Sequence, residues 1–364
     1  MQFLMGKNWN LNILRRVIKS SKIVWLIGLL TICSSICFAG TVKPDYIKIT
    51  QVPTKQRVDI TIGGELFTSL LYADSLKKPS LYPIYTAKQN MVTRGWPIMP
   101  QHMDRTDYSH QFGLWFNYGS VNGADYWDNQ IGVDTIAKPY GYIKLQKVSN
   151  ITSGEGKAGF TITCRWINPG SKAVIEETSV FVFKVEHGVR IIDRFITLKA
   201  LTNVAFKDSK QGLYGFRGAT ELGQPVTGLE TAMLMDNNVK SKNDSIPLTG
   251  HFTSSEGVQG EAVFAKRAKW MKLSGLVHNE PVTLLLMDNP QNINYPAYWL
   301  ARSNALMSLN PLGSEVFTNG KEKMNFTLAK GKQVTFKYRF VQGGNDMDNN
   351  TIGRLFSDFT ADSL

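Results

Sequence analysis

The sequence predicts an all-β protein, a large antiparallel β-sandwich with long loops. Valine, isoleucine, threonine and phenylalanine alternate with polar residues in several runs, which is the period-two pattern of half-buried strands. Turn signals separate these runs, and a helical pattern is found only in one short segment near the end of the 364-residue chain. Many short strands with almost no helix are typical of a sandwich or a barrel. At this length a two-sheet sandwich is the more economical arrangement.

The first 39 residues are predicted to be a secretory signal peptide. A basic stretch without any acidic residue is followed by the apolar run Ile23–Cys33 and by small residues ending in Ala39, after which cleavage is expected. The apolar run is short for a membrane span, so a retained anchor is the weaker interpretation. Lipid attachment at Cys37 is another alternative, although Ile36 stands where a small residue is expected. We therefore expect residues 40–364 to form one exported domain, periplasmic or extracellular.

Charge and cysteine content restrict the classes of partner. The formal net charge is +12, of which the leader carries five positive charges, so that +7 remains. Lysines and arginines are scattered rather than clustered, and nucleic acid is therefore not an expected partner. No further membrane span is expected after the leader. Cys164 is the one cysteine outside the leader, so no internal disulfide is expected, and its apolar surroundings predict a buried, unreactive thiol.

The strands can be placed in order along the chain. "RVDITIGGELFTSLLY" has Gly63-Gly64 between two alternating runs and predicts a hairpin with a two-residue turn. "GFTITCRW" and "AVIEETSVFVFKV" follow, and the latter turns at Glu186–Gly188 into "VRIIDRFITLKAL". "PVTLLLMD" and "KQVTFKYRFVQ" are later strands, and Thr351–Phe359 is the one predicted helix. The long segments 88–139 and 218–258 are predicted to be loops, and loops of such length are usually functional. Within the first segment, Trp115 and Phe116 of "GLWFNYG" fit a core strand equally well.

The histidines and the known motifs argue against a metal centre or a bound cofactor. A carboxylate-rich metal site is one interpretation of His102 and His110, which lie eight residues apart beside Asp104 and Asp107. No zinc-type spacing is present, so loop histidines bonded to the backbone are the favoured interpretation and no metal is expected. The chain also has no GxSxG elbow, no cysteine–histidine signature and no phosphate-binding loop. No cofactor is therefore expected.

Two segments are rich in the side chains that bind sugars. Aromatic rings stack on the C–H faces of sugars, while acids, amides and arginine bond their hydroxyl groups. Residues 93–128 and residues 287–311 both combine these types. We expect Asp107–Trp127 and Asp288–Asn304 to converge on one concave site, because neither segment alone encloses a ligand. A small-molecule carbohydrate is therefore the expected partner.

Five segments, "LYPIYTAKQNMVTRGWP", "DYSHQFGLWFNYGSVNGADYW", "DSKQGLYGFRGA", "AKRAKWMKLSG" and "MDNPQNINYPAYWLARSNALMSLNPLG", resemble the DUF6807 family, also labelled PmoA-like or methane oxygenase PmoA. They follow the family's order and span most of the chain after the leader. The resemblance implies an exported protein, often encoded among carbohydrate-utilisation genes, and a sandwich similar to the galactose mutarotase-like proteins. A methane oxygenase is not expected, because it needs several membrane spans and a metal or flavin site.

The resemblance is incomplete at the residues most suited to chemistry. The family's usual stretch reads Asp-His-Pro-His-His-Arg-Gly-Leu-Trp, whereas residues 107–115 of this chain read "DYSHQFGLW". The aspartate, one histidine (His110) and the Gly-Leu-Trp end match, and two histidines and the arginine are replaced. Trp299 and Arg302 also match the family's pattern. The chain therefore keeps one histidine of the family's cluster.

The sequence predicts an exported carbohydrate-active protein. As an enzyme it would be a lyase, a hydrolase or an epimerase that acts on a sugar or a modified glycoside by acid–base chemistry. The candidate catalytic residues are His110, Asp107 and Arg302. The candidate substrate-binding residues are Arg94, His102, Asn122, Trp127, Asp288, Tyr298 and Trp299. The alternative is a non-catalytic sugar-binding protein, which the reduced histidine cluster favours, and a structural protein is the poorest interpretation.

The main candidates have distinct expected roles. His110 is expected to be the general acid or base, because an imidazole titrates near neutral pH without strong tuning. Asp107 is expected to orient it or to bind a hydroxyl group. Arg94 and Arg302 are expected to bind a carboxylate or an enolate-like oxygen, and Trp127 and Trp299 to stack on the sugar ring.

Overall fold

The computed structural model describes residues 43–102, 104–130, 138–225, 247–344 and 347–361. In chain order its strands are β1 (Tyr46–Val52), β2 (Arg57–Ile62), β3 (Glu65–Leu71), β4 (Ser80–Ile84), β5 (Leu114–Tyr118), β6 (Tyr142–Thr152), β7 (Gly154–Glu155), β8 (Lys157–Ile167), β9 (Ala173–Glu186), β10 (Val189–Ala200), β11 (Val204–Phe206), β12 (Gly212–Arg217), β13 (His251–Ser254), β14 (Trp270–Val277), β15 (Glu280–Asp288), β16 (Tyr298–Arg302), β17 (Leu306–Asn310), β18 (Phe326–Leu328) and β19 (Gln333–Gly343). Its helices are α1 (Ser314–Phe317) and α2 (Asn349–Ala361), with 3₁₀ turns at Pro53–Lys55, Thr220–Leu222 and Gly260–Val263. The prediction of an all-β protein is confirmed. The predicted signal peptide, Cys37 and part of the predicted loop 218–258 lie outside the described residues.

The strands of the described residues form two large sheets of antiparallel neighbours. One sheet has nine strands in the order β16-β17-β12-β5-β4-β3-β2-β1-β7, and the other has eight in the order β13-β14-β15-β19-β10-β9-β8-β6. A small ribbon pairs β11 with β18. Strand β5 lies between β12 and β4, although the sequence predicted segment 88–139 to be loop. That prediction is wrong for β5, whose five residues are all buried and therefore show no alternation.

The two sheets pack face to face around an apolar layer. Tyr214 of β12 stacks on Tyr338 of β19 with ring centroids 4.9 Å apart, and Phe216 lies 5.1 Å from Phe340 on the same two strands. Well-oriented ring pairs add about 0.5–1.5 kcal/mol each to the free energy gained by burying apolar area. Cys164 is buried in this layer, as predicted, and burial raises the pKa of its thiol.

The alternation of side chains also places an apolar cluster on the outer face of the nine-stranded sheet. In β5, Phe116 belongs to the core between the sheets, whereas Trp115 belongs to the outer cluster together with Leu300 and Leu306. Gly215 of β12 is the cross-strand partner of Trp115. A Cβ atom on Gly215 would approach the indole ring to 2.6 Å, so glycine leaves the room that this tryptophan needs. The candidate site lies on this outer face.

The local turn chemistry explains the predicted hairpins. Gly63 and Gly64 have φ angles of 61° and 91°, as a type I′ turn requires, and they join β2 to β3. His187 and Gly188, with φ angles of 50° and 79°, form the corresponding turn between β9 and β10. Both predictions are confirmed.

The predicted helix is confirmed as α2, which extends two residues beyond the predicted segment at each end. Ile352, Leu355 and Phe359 lie on one side of the helix and pack against a cluster that includes Val341 of β19. Within the described ranges, no helix has both the length and the apolar character needed to cross a membrane.

Candidate functional site

A cavity of about 450 Å³ lies on the outer face of the nine-stranded sheet, where the loops around β5 meet the turn between β16 and β17. Its lining residues are Arg105, Asp107, Tyr108, His110, Gln111, Trp127, Asp128, Lys210, Gln211, Glu261, Leu300, Arg302, Ser303, Asn304 and Leu306. The segments Asp107–Trp127 and Asp288–Asn304 therefore meet at one cavity. Of the residues proposed from the sequence, four line it: Asp107, His110, Trp127 and Arg302.

Arg94 folds the loop that precedes β5. Its guanidinium donates hydrogen bonds of 2.7–3.2 Å to the backbone carbonyls of Arg105, Asp107, Tyr108 and Gln111. The side chain is 1% exposed, and it does not line the cavity. The structure therefore places Arg94 outside the cavity, with its donors bonded to the loop rather than facing the space where a ligand carboxylate was expected.

Asp107 accepts hydrogen bonds from three arginines. Its carboxylate lies 2.5 Å from Arg94, 2.7 Å from Arg217 and 3.2 Å from Arg105. Burial alone would raise the pKa of Asp107, but the three positive charges outweigh it and hold the pKa below 3.8. Burial, followed by the charge of Arg94, lowers the pKa of Arg217 to about 9, so that Arg217 stays charged at neutral pH. Asp107 therefore anchors the loop through these arginines, and the side chains beside the ring of His110 are Gln130 and Asp128.

Asn304 joins the two converging segments. Its side-chain oxygen accepts hydrogen bonds of 3.0 and 3.1 Å from the guanidinium of Arg217, which itself bonds the carboxylate of Asp107. Asn304 belongs to the turn between β16 and β17, and the neighbouring Ala305 accepts a 2.9 Å hydrogen bond from the backbone of Gly218. These contacts fix the turn that carries Arg302 against the arginine cluster around Asp107.

His110 is 7% exposed and has a hydrogen-bond acceptor on each side of its ring. Nδ1 lies 3.3 Å from Oε1 of Gln130, and this oxygen also accepts the backbone N–H of His110 at 3.0 Å. Since only the Nδ1 contact has hydrogen-bond geometry, we place the proton of the neutral ring on Nδ1. Nε2 then presents a lone pair 3.5 Å from Oδ1 of Asp128, and it has no hydrogen-bond partner among the described residues.

The surroundings of His110 keep its ring neutral. Burial is the main cause that lowers the pKa of His110 well below 6.5, the charge of Lys78 lowers it further, and Asp128 opposes both. Lys78 is 2% exposed, lies over the ring of Phe112, and donates a 2.5 Å hydrogen bond to the carbonyl of His110. Burial lowers the pKa of Lys78 itself to about 7. The lowered pKa favours the neutral imidazole at neutral pH, in contrast to the expected titration in that range.

Asp128 is an ionised carboxylate in the same cavity. It accepts hydrogen bonds from Gln211 at 2.7 Å and from Lys138 at 3.1 Å. Its backbone N–H donates to the side chain of Asp125 at 3.0 Å, a turn that sets the direction of the Asp128 side chain. The pKa of Asp128 lies below 3.8: burial alone would raise it, but the hydrogen bonds from Gln211 and Lys138 and the charge of Lys138 lower it.

Glu261 is a second carboxylate of the cavity, on the 3₁₀ turn Gly260–Val263. Burial raises the pKa of Glu261 above 4.5, and the charge of Arg302 offsets only part of this effect. Its Oε1 is buried and has no hydrogen-bond partner within the described part of the chain. Two carboxyl groups whose surroundings move their pKa values apart are the usual arrangement of an acid and a base in one site.

Tyr108 offers more ring surface to a ligand than either predicted tryptophan. It is 40% exposed, and its ring stands edge-on to His110 with centroids 5.9 Å apart. Trp127 also lines the cavity, but it is 1% exposed because it packs against Trp115 at 5.4 Å. Both rings line the cavity, with Trp127 buried in the wall and Tyr108 more exposed.

Two aromatic candidates on β16 are structural. Trp299 faces the core between the sheets, where its Nε1 donates a 2.9 Å hydrogen bond to the carbonyl of Ala268. Tyr298 lies on the outer face but stacks on Phe317 at 5.3 Å, away from the lining of the cavity. Trp299 lies outside the cavity because alternate residues of one strand point to opposite faces of the sheet, and Tyr298 lies outside it because its ring packs on Phe317.

Three polar candidates also lie outside the lining. Asp288 is buried, accepts a 2.8 Å hydrogen bond from the backbone of Ala297, and has its pKa raised to about 6 by burial. Asn122 sits in a turn with φ of 50° and accepts a 2.8 Å hydrogen bond from the backbone of Ala205. His102 is exposed beside a separate cavity of about 140 Å³. In the described ranges, no three side chains of histidine, cysteine, aspartate or glutamate are grouped as metal ligands.

Sequence reasoning missed Asp128, Glu261, Gln211 and Lys78. Asp128 follows Trp127 directly, so its signal was the acidic end of a segment already singled out. Gln211 lies in the quoted segment "DSKQGLYGFRGA", which was not connected with the site, whereas Lys78 and Glu261 lie outside every quoted segment and reach the cavity only through the fold.

A family comparison covers the residues of this site. The sequence profile of DUF6807, a family of unknown function, matches residues 57–357, which include every lining residue of the cavity. The chain belongs to the DUF6807 family. The resemblance carried by the five quoted segments is thereby confirmed for this DUF6807 protein. A comparison with curated proteins gave no match.

Several solved structures are similar to this DUF6807 protein at low identity. The galactosidase domain of an α-galactosidase–sucrose kinase has 9% identity and a TM-score of 0.41, covering 82% of this chain and 42% of that chain. A GH36 α-galactosidase from Geobacillus stearothermophilus has 8% identity and a TM-score of 0.40, covering 82% and 41%. A galactose mutarotase-like protein from Lactobacillus casei has 9% identity and a TM-score of 0.33, covering 81% and 99%. The chain thus spans about two fifths of the length of these galactosidase chains, and the likeness is too distant to carry a functional conclusion.

Proposed function

We propose that this DUF6807 protein binds a sugar in the cavity and acts on it by acid–base chemistry. The observation that carries the proposal is the pair of acceptors formed by Nε2 of His110 and Oδ1 of Asp128, 3.5 Å apart. A buried acceptor without a donor costs about 1–3 kcal/mol, so a ligand that supplies a donor there is stabilised by a similar amount. Hydroxyl groups are such donors, and sugars carry several of them.

The residues of the cavity divide the chemistry between them. Asp128, which is ionised, takes a proton from a substrate group or from water, while neutral His110 orients that group through Nε2. Glu261 holds a proton more readily than an ordinary glutamate and donates it to the leaving or ring oxygen. Tyr108 contacts the C–H face of the sugar. Hydrolysis, elimination and epimerisation all use such an acid and base.

The pKa shifts set the direction of the pH dependence. The pKa of Asp128 lies below 3.8, so kcat/KM falls as the pH drops through this pKa and the base becomes protonated. The pKa of Glu261 lies above 4.5, so kcat/KM also falls as the pH rises through that value and the acid loses its proton. The Glu261→Gln variant is expected to lack the alkaline limb in its residual activity.

A substrate screen with matched variants tests the proposal. The purified protein is incubated with neutral and acidic glycosides and disaccharides, and products are detected by mass spectrometry. Loss of an acid or a base costs about 10²–10⁴ in rate, so Asp128→Asn and Glu261→Gln should lose at least about 100-fold in kcat. Asp74→Asn and Glu256→Gln, which change carboxylates outside the cavity, should keep full activity. Unchanged turnover in Asp128→Asn would contradict the proposed base.

One observation favours sugar binding without catalysis as the second candidate. His110 is the one histidine that the chain shares with the family's histidine-rich stretch. Its imidazole has a strongly lowered pKa and serves as an acceptor rather than as a proton carrier. Saturable binding of a sugar, without any product from the whole panel, would support this candidate. Ligand binding to the native state raises the melting temperature, so thermal shift measures it independently of turnover.

We also propose that the protein acts after export. The support is the order of basic, apolar and small residues in positions 1–39. Intact-mass measurement of the exported protein should give a chain that begins near Gly40. A mass that still includes Met1 in the exported fraction would contradict cleavage, and a mass that includes a lipid on Cys37 would indicate an anchored form.

A further inference from the structure

The side chain of Arg302 lines the cavity, and its guanidinium is not hydrogen-bonded within the described residues. It lies at the end of β16, half-buried, with its guanidinium carbon 3.9 Å from the ring centroid of Phe264. Among the described residues it makes no hydrogen bond and no ion pair. Stacking on an aromatic ring holds the guanidinium plane while leaving its N–H groups at the edge for another partner. The ring contact therefore fixes the position of the guanidinium, while its five N–H donors remain available to a ligand.

The other arginines around the cavity are committed to the protein. Arg94 and Arg217 are buried, and both bond the carboxylate of Asp107. Arg105 makes a 3.2 Å ion pair with the same carboxylate, and its Nε is buried without a hydrogen-bond partner in the described residues. Three positive charges thus share one carboxylate. This surplus adds a positive potential on the side of the cavity that holds Asp107.

We propose that the sugar carries a carboxylate, as a uronic acid does, and that Arg302 binds this carboxylate through two parallel hydrogen bonds. The inference rests on the proposed function of the same cavity and names its substrate class. The planar fork of a guanidinium matches the two oxygens of a carboxylate, and such charge-assisted pairs are among the strongest hydrogen bonds in proteins. Arg105, at the neighbouring edge of the cavity, adds positive potential without direct contact.

The charge balance of the cavity favours one negative charge on the ligand. Asp128 is ionised, and Glu261 lies near Arg302. A dianion such as a phosphate ester would meet repulsion from these carboxyl groups, whereas a single carboxylate is attracted by Arg302 and by Lys210, which also lines the cavity. A neutral sugar would leave the donors of Arg302 without an acceptor.

Isothermal titration with paired sugars tests this inference. Methyl glucuronoside and methyl galacturonoside are compared with methyl glucoside, methyl galactoside and the corresponding 6-sulfates. A charge-assisted hydrogen-bond pair predicts that the uronides bind about tenfold to 100-fold more tightly than the neutral sugars. In Arg302→Met this preference should disappear, and Arg302→Lys should keep part of it because the charge remains. Arg165→Met, an exposed arginine on β8, is the matched control.

Each outcome decides for or against the carboxylate. Equal or absent binding of the uronides and the neutral sugars would overturn the inference, and so would tighter binding of the 6-sulfates. A preference for uronides that survives in Arg302→Met would also overturn it, because the carboxylate would then bind elsewhere. Uronide binding that depends on Arg302 but is followed by no turnover would support the inference while the proposed acid–base function fails. Turnover of neutral sugars at full rate in Arg302→Met would leave that function standing and overturn the substrate class.

Discussion

The Asp107→Asn substitution measures how strongly the arginine cluster depends on its single carboxylate. The change keeps the shape of the side chain and removes its charge, which leaves Arg94 and Arg217 buried and charged. Breaking a buried ion pair from one side costs about 3–5 kcal/mol. Arg94 keeps its backbone carbonyl acceptors, whereas Arg217 keeps only the amide oxygens of Gln111 and Asn304. We therefore expect a loss near the lower limit, about 3 kcal/mol in the free energy of unfolding.

Chemical denaturation at several pH values is the assay for this substitution. The folded-state pKa of Asp107 lies below its unfolded value of about 3.8, so its contribution is present above that value and is lost as the pH falls through the folded pKa. The difference between wild type and Asp107→Asn should be constant from about pH 8 to about pH 5 and should shrink below about pH 4. The Glu176→Gln variant, in the exposed pair of Glu176 with Arg165, should cost less than about 1 kcal/mol. A loss in Asp107→Asn as small as in this control would refute the reasoning.

Two further substitutions test the electrostatic environment of His110 and the position of Asn122 outside the cavity. In Lys78→Met the pKa of His110 should rise, because the ammonium group that lowers it is removed, whereas Lys78→Arg should keep this pKa low. An NMR pH titration of the His110 ring measures the pKa. An unchanged pKa in Lys78→Met would contradict the effect assigned to the charge of Lys78. Asn122→Ala should lower stability by about 1–2 kcal/mol, because a turn loses its hydrogen bonds to residues 203 and 205, and should leave sugar affinity unchanged in titration calorimetry. A loss of affinity in that variant would restore Asn122 to the binding site.

Strands β2, β8 and β9 could be predicted because each buries one face, which gives a period-two pattern in the sequence. Strand β5 is buried on both faces, so it shows no alternation and was missed. The convergence of Asp107–Trp127 with Asp288–Asn304 was predictable from composition alone. The orientation of the Trp299 side chain was not predictable, because a shift of one residue in the register of β16 would move this side chain from the core face to the outer face of the sheet. Likewise, no pattern near Arg94 predicts that backbone carbonyls of the following loop accept hydrogen bonds from its guanidinium.

The electrostatics of the site depend on contacts that are distant in sequence. The ring of His110 is kept neutral by burial and by Lys78, which precedes it by 32 residues. Glu261 reaches the cavity from a 3₁₀ turn outside both predicted segments. The sequence supplies the identities of these groups, but their pKa values follow from burial and from neighbours that only the fold brings together.

Nitrogen-15 NMR of the histidine side chains during sugar titration tests the central claim most directly. The chain has five histidines, and the exposed His102, His187, His251 and His278 serve as internal references. If a ligand hydroxyl donates to Nε2 of His110, the Nε2 resonance should shift with saturation, while Nδ1, bonded to Gln130, should move little. A bound sugar that leaves both nitrogens of His110 unmoved, or that shifts only the exposed histidines, would contradict the assignment of this cavity as the sugar site.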